Sequence, residues 1–249
     1  MKLSAIILTS NEENNLNKCL DSLPKDIELI IVDSGSTDRT LEIAKQYGAK
    51  IFNNKLRDFS SQRNFGTDHA LNNWVFFLDA DEELSAELRN KLEALINNKE
   101  GIIGYDIRRF NYVLGKRMTH NWNPDHVLRL FDKRYARYEG EIHEKATANG
   151  KVVRIEDPIL HYTFQSVAEY FNKVNRYSTV EAQRLYKQRA PFSRGILISR
   201  SWAMFTQALL GKRGMLDGVR GLILAMMEAI QSFLIYAKLY ELYENEKNK

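Results

Sequence analysis

The chain is 249 residues long, 44% hydrophobic and 27% charged, which suits one large domain or a medium domain with an appendage. Its single cysteine, Cys19, excludes an internal disulfide and any thiolate metal cluster. The formal charge of +4 is unevenly spread: residues 184–220 carry eight basic residues against Asp217 alone, a net of +7 that leaves the remainder at −3. A cationic appendage on a slightly acidic body leaves nucleic acid or an anionic membrane surface as candidate partners.

Met1 is followed at once by a strand-like run, so no signal peptide is expected and the chain is expected on the cytoplasmic side. Leu3–Thr9 reads as a strand buried on both faces. After the polar turn Ser10-Asn11-Glu12-Glu13 comes a helix with Leu16, Cys19, Leu20 and Leu23 on one side, ended by Pro24. Glu28–Asp33 is a second buried strand, followed by a tight turn at Ser34-Gly35-Ser36 and a helix opening near Thr37, with Gly48 at its C-terminal end. Asp38 suits an N-cap of that helix as well as a ligand. Lys50–Asn53 is a short strand, and a helix over residues 60–71 leads into the strand Trp74–Asp79.

That strand runs straight into Asp79-Ala80-Asp81-Glu82-Glu83, four carboxylates in five residues. Carboxylates at i and i+2 beyond a buried strand call for a cation or a ring of donors. Hard oxygen ligands suit Mg²⁺ or Mn²⁺ with positions left open for phosphates. Glu82 and Glu83 read as solvated residues ahead of a helix over 85–96. Strands alternating with helices predict parallel pairing, which gathers the polar strand ends on the edge where such sheets bind ligands. Beyond residue 100 the helical period stops, and 102–109, 127–131 and 152–155 read as an antiparallel extension. Ser166-Val167-Ala168-Glu169 is a capping box opening a long helix.

The order Thr9-Ser10-Asn11-Glu12-Glu13, Asp33-Ser34-Gly35-Ser36-Thr37-Asp38, Gln62-Arg63-Asn64 and Leu78-Asp79-Ala80-Asp81-Glu82 resembles glycosyltransferase family 2 over about the first 100 residues. His143-Glu144, Ile159-Leu160-His161-Tyr162 and Leu216-Asp217-Gly218 are similar to the branch that adds glucose to a heptose of the lipopolysaccharide inner core. The resemblance implies an α/β fold of GT-A type, a mostly parallel sheet with helices on both faces, carrying a C-terminal helical appendage. It implies an inverting, metal-dependent hexosyl transfer from a UDP-sugar to a lipopolysaccharide or other lipid-linked acceptor. It assigns Asp33 to the uracil, Thr9, Asn11 and Glu12 to the base and ribose, Asp79 to the ribose or a metal-bound water, and Asp81 to a Mg²⁺ or Mn²⁺ bridging the phosphates. Arg63 either adds a second cation at the phosphates or pairs with a neighbouring carboxylate.

An inverting transfer needs a carboxylate to take the acceptor proton. Glu139, Glu141 and Glu144 are the candidates; the resemblance at His143-Glu144 favours Glu144, with Glu141 in reserve, and all three also fit exposed positions of an edge strand. His161 either completes a metal's coordination or bonds a backbone carbonyl. Lys173 and Arg176 suit phosphate clamps or a solvated helix face. Arg108, Arg109, Lys116, Arg117, Arg129 and Arg137, among Phe110, Tyr112, Trp122 and Tyr135, suit an anionic sugar acceptor; no RNA-binding signature accompanies them, so nucleic acid is not an expected partner.

The apolar stretches 195–210 and 221–239 are interrupted by Arg200 and Glu228, so neither supplies the roughly 20 apolar residues of a spanning helix. They read as interfacial helices on the inner face of the cytoplasmic membrane, or as packing or homo-oligomer surfaces. The expected domains are 1–165, catalytic and nucleotide-sugar-binding, and 166–249, helical and membrane-associating. A nucleotide-binding membrane scaffold without turnover is the alternative. The nucleophile loop of a haloacid-dehalogenase-type phosphatase fits poorly, because that motif opens its domain and takes Thr or Val where Glu83 stands.

Overall fold

The computed structural model describes residues 1–55, 58–98, 100–123, 125–140 and 145–247. In chain order these form β1 (Leu3–Thr9), α1 (Leu16–Asp21), β2 (Glu28–Asp33), α2 (Thr40–Gln46), β3 (Lys50–Asn53), α3 (Phe59–His69) and β4 (Trp74–Asp79). There follow β5 (Glu82–Leu84), α4 (Ala86–Ile96), β6 (Ile102–Val113), β7 (Lys116–Arg117), β8 (Asp125–Asp132), β9 (Ala136–Glu139), β10 (Lys145–Ala148) and β11 (Lys151–Phe164). Three longer helices, α5 (Val167–Lys187), α6 (Arg194–Thr206) and α7 (Val219–Lys247), end the chain.

Among the described residues the main sheet has the order β3-β2-β1-β4-β8-β6-β11-β5, with β7 paired to β6. The first four strands are parallel, as strand–helix alternation requires. From β8 the pairing turns antiparallel, and β5 closes the far edge against β11. The alternation of side chains along each strand builds two cores. Leu3, Ala5 and Ile7 of β1 with Phe76 and Leu78 of β4 pack against α1, α2 and α4. Ile6, Ile30, Val32, Val75 and Phe77 point the other way, with Phe65 and Ala70 packed among them. Both faces are therefore covered, which is why these strands read as unbroken apolar runs.

The structure differs from the sequence reading in the second half. β6, β8 and β11 are longer than the three expected strands, and β11 runs through Pro158 without a break. Pro158 removes one donor from the strand, while its carbonyl accepts from the Ser85 N–H at 3.2 Å. The capping box at α5 forms, with the Ser166 hydroxyl accepting from the Glu169 N–H.

The chain divides into two compact units, Met1–Phe110 with Pro124–His161, and Asn111–Asn123 with Tyr162–Lys249. The second has its own core of Val113, Met118, Phe164, Tyr170, Val174, Leu224 and Met227. Its sharp corner before α7 rests on Gly221, where a Cβ would lie 1.7 Å from the Gly214 carbonyl oxygen. The Asp217 carboxylate there accepts from the backbone N–H groups of Thr119 (2.8 Å) and Asn121 (2.9 Å). By length and composition alone α7 is long and apolar enough to cross a membrane. It runs on to Lys247, past the 221–239 stretch, and its Glu228 is buried.

A Cβ at Gly66 of α3 would lie 2.5 Å from Ile6 Cγ2 and 3.1 Å from Val32 Cγ2, so the helix would have to back off the sheet. Gly66→Ala is expected to destabilise the protein by about 1–3 kcal/mol, against the direction of helix propensity. A lowered urea midpoint with an unchanged slope is the readout.

Candidate active site

The parallel register sets the tips of β1, β2 and β4 side by side, with Thr9 opposite Asp33 and Leu8 opposite Asp79. Asp33 is buried, and its two oxygens accept from the Thr9 hydroxyl (2.9 Å), the Ser36 hydroxyl (2.5 Å) and the N–H groups of Gly35 and Ser36 (2.8 Å each). Four donors match the four lone-pair sites of a carboxylate. Asn11, at φ 59°, uses the left-handed conformation that asparagine tolerates. Its side-chain oxygen accepts from the Thr37 N–H at 2.8 Å, and its own N–H donates to the Ser36 hydroxyl at 2.9 Å. The Glu12 N–H donates to the Thr40 hydroxyl, and the Glu12 carboxylate accepts from Asn15. Asp38 accepts from the Thr40 N–H at 3.0 Å and from the Glu13 N–H. The two loops after β1 and β2 thus form one hydrogen-bonded rim.

Beyond β4 lies a buried ionic network. Arg63 donates to Asp79 Oδ1 at 2.8 Å and Arg129 to Asp79 Oδ2. Glu82, fully buried, accepts from Arg129 (3.0 Å), from Arg109 (3.1 Å) and from the Asp79 N–H (2.9 Å). Arg109 also donates to Asp125 at 2.8 Å. Burial alone would push the Asp79 carboxyl up, but Arg129 and Arg63 outweigh it and hold the group well below the usual carboxylate range. The guanidinium of Arg63 also lies 5.1 Å from the centre of the Tyr138 ring.

Two expectations change here. Glu82 is not solvated, because β5 pairs with β11 and turns its side chain towards the arginines. Arg129 and Arg109, read as acceptor-binding residues, are engaged within this network. Arg129 sits 5% exposed, and the sequence signal that pointed to it was only the spacing of a charged residue inside the apolar strand Val127–Phe131. Of the other basic residues in that group, Arg108 pairs with Glu156 and Arg137 with Asp68, each at 2.7 Å. Lys173 donates to the Thr163 carbonyl at 2.8 Å, and the Arg176 guanidinium lies over Tyr177.

Asp81 follows β4, and His161 lies opposite Glu82 in the β5–β11 pairing. The same register brings His161 Nε2 to 3.7 Å from Asp81 Oδ2, each side chain 16% exposed. Among the described residues no three His, Cys, Asp or Glu side chains converge as a cage. One carboxylate and one imidazole, accessible from outside, nevertheless fit a divalent cation that takes its other ligands from phosphate and water, the usual habit of Mg²⁺ and Mn²⁺. Glu144 and Glu141 lie outside the described residues. Before them, the Gly140 carbonyl accepts from the Ser60 hydroxyl, and Asn64 exchanges hydrogen bonds with the Tyr138 backbone at 2.8 and 3.1 Å.

Residues 4–156 match the model of glycosyl transferase family 2. The chain belongs to glycosyltransferase family 2. An uncharacterized glycosyltransferase of Rickettsia typhi is 31% identical to this family 2 chain, covering 99% of it and 89% of the relative. The lipopolysaccharide core biosynthesis glycosyltransferase LpsC of Rhizobium meliloti is 30% identical over 97% of this chain and 93% of its own. Among solved structures, the mannosyltransferase PcManGT of Pyrobaculum calidifontis, in complex with GDP-Man and Mn²⁺, matches 98% of this chain and 87% of its own with TM-score 0.52 at 15% identity. S. aureus TarS 1-349 in complex with UDP-GlcNAc matches 98% and 92% with TM-score 0.51 at 15% identity. These likenesses give the GT-A fold, and the family gives a glycosyltransferase.

A carboxyl held low contributes stability that is present above its ordinary pKa and is lost as pH falls through its folded value. Asp79 therefore contributes fully above the usual value of 3.8 and loses that contribution progressively as pH falls from there towards its lower folded value. Arg129→Gln leaves Asp79 and Glu82 short of a cation, with an expected cost of about 3–5 kcal/mol. With Arg129 gone the folded Asp79 carboxyl moves back towards its ordinary value, so the variant should lose less stability on acidification and its acid limb should be shallower. Denaturant midpoints measured from about pH 3 to 7 check both statements, and superimposable acid limbs would refute the second.

Proposed function

We propose that this chain transfers a hexose, with glucose the favoured candidate, from a UDP-sugar to a lipopolysaccharide-core or other lipid-linked saccharide acceptor, with inversion at the anomeric carbon. In this reading residues 1–165 bind the donor and carry the chemistry, while residues 166–249 work peripherally at the inner face of the cytoplasmic membrane. The observation that carries it is the convergence of the β1, β2 and β4 tips with His161. A rim of hydroxyls and amides from Thr9, Asn11 and Glu12 stands beside Asp33, and Asp81 with His161 stands beside the neutralised Asp79. The likeness to LpsC along nearly the whole of both chains supports the class of acceptor. TarS, in complex with UDP-GlcNAc, supports a uridine nucleotide, and PcManGT, in complex with Mn²⁺, supports the metal.

The acceptor oxygen attacks the anomeric carbon while the bond from that carbon to the β-phosphate oxygen breaks. The acceptor proton passes to a carboxylate, for which Glu144 is proposed and Glu141 held in reserve. The nucleoside diphosphate leaves with the bonding electrons, so negative charge grows on its phosphates. A divalent cation bound by Asp81 and His161 supplies positive charge against that growth. Asp79, already paired with Arg63 and Arg129, holds the loop that carries Asp81 and offers its exposed edge to the ribose. Asp33 is already saturated, so accepting the uracil N3–H requires the Ser36 or Thr9 hydroxyl to turn away. Ser36 is the freer of the two, because Thr9 is buried.

Asp81→Asn is expected to lower UDP release from the donor, and transfer to a lipid-linked core acceptor, by at least about 100-fold. It should also remove the strengthening of UDP binding by Mn²⁺ in calorimetry, with the fold intact. A variant retaining both the turnover and the Mn²⁺ effect would overturn the assignment.

A further inference from the structure

In the second unit, α7 carries apolar side chains on both faces: Leu224, Ala225, Met227 and Leu239 are buried, while others face outward. Its inward face carries Glu228 and Ser232, 7% and 8% exposed. Its outward face carries Val219, Leu222, Met226, Phe233 and Tyr240, of which Val219 is 73% and Met226 48% exposed. The spacing of 219, 226, 233 and 240 is one heptad each, so these side chains form a single stripe along the helix. The inward polar groups are held by the unit itself. Glu228 accepts from Trp122 Nε1 at 2.9 Å and faces Lys212 Nζ at 3.4 Å. Lys238 Nζ donates to the Asn175 carbonyl (2.6 Å), to Ser178 (2.9 Å) and to Thr179 (2.7 Å).

α6, packed against α7, also exposes apolar side chains. Ile198 and Trp202, 67% and 64% exposed, stand one turn apart, and the turn after α6 adds exposed Leu210, Met215 and Leu216. Exposed Arg194, Arg200 and Arg213 are interleaved with them. An exposed apolar stripe along α7, with further exposed apolar side chains on its neighbour α6, marks an interaction surface. Apolar side chains, an exposed Trp and interleaved arginines together match the acyl boundary and the anionic headgroups of a phospholipid leaflet.

We infer that α6 and α7 dock on an anionic lipid surface with α7 lying in the plane of the membrane, its Val219–Leu222–Met226–Phe233 face in the acyl boundary, and not crossing it. The proposal rests on the reading above only for the lipid-linked acceptor that such docking would serve. Crossing would carry Glu228, Ser232 and Lys238 into hydrocarbon and break the bonds that hold them. At 29 residues, α7 is also about 43 Å long against a hydrocarbon core of about 30 Å.

The test is flotation of the full chain with vesicles of phosphatidylcholine alone or with phosphatidylglycerol. Binding to the anionic vesicles that weakens with added salt is expected, with a blue shift of tryptophan emission that Trp202→Phe removes. The double variant Met226→Glu, Phe233→Glu should partition at least about tenfold more weakly, with its melting and its vesicle-free release of UDP from the donor unchanged. Washing at alkaline carbonate pH should strip the protein from bacterial membranes. Absence of vesicle binding overturns the proposal, as does resistance to carbonate, which means that α7 spans. A dimer in sedimentation that the double variant dissolves also overturns it, because the stripe then belongs to a second copy. Loss of UDP release with vesicle binding intact would sink the transferase reading and leave this one standing.

Discussion

The site depends on charge being balanced beneath it. Asp79 and Glu82 are carboxylates three residues apart, both withdrawn from most of the water, and neither is tolerable there alone. Arg129 reaches both, Arg63 holds the other oxygen of Asp79, and Arg109 links Glu82 to Asp125. Three guanidiniums and three carboxylates make a neutral network whose partners come from α3, β4, β5, β6 and β8. Such a network adds less stability than its contacts suggest, since desolvation offsets much of the attraction. What it adds is geometry: the chain after β4 must turn where Glu82 meets the Asp79 N–H, and that turn presents Asp81.

This arrangement separates the roles of two aspartates that a motif treats as a pair. Asp79 has both oxygens bonded to arginine, which leaves it a poor primary ligand for a cation. Asp81 has an imidazole at 3.7 Å and access to the outside. The division follows from strand register, because β11 pairs with β5 so that His161 faces Glu82 and stands beside Asp81. A one-residue slip of that pairing would turn His161 to the opposite face of the sheet.

The parallel half of the fold was legible because strands buried on both faces leave an unmistakable apolar run, and because loops at their ends hold the polar motifs. The rim was legible in part. The placement of Thr9, Asn11 and Asp33 at neighbouring strand ends was legible, but their mutual saturation was not, since it depends on Ser36 and Thr37 reaching across from another strand end. Glu82 was misread for a physical reason: in a run of four carboxylates sequence alone cannot say which one faces inward, and the answer lies in arginines 27 and 47 residues away. Arg129 was mistaken for the same reason in reverse. A charge inside an apolar strand is either a ligand contact or a buried counter-ion, and only its partners decide.

The same ambiguity governs α7. Hydropathy averages around the helix, so Glu228 counted as an interruption and argued against insertion. In the folded unit Glu228 turns inward to Trp122 and Lys212, and Lys238 turns inward to α5. The interruption is thereby removed from the outward face, which is left more apolar than the sequence average implies. A helix that turns Glu228 and Lys238 towards its own unit presents an outer surface that is more nearly one-sided. One-sided surfaces favour lying on an interface over passing through it, because crossing would require the spent groups to find new partners in a medium that offers none.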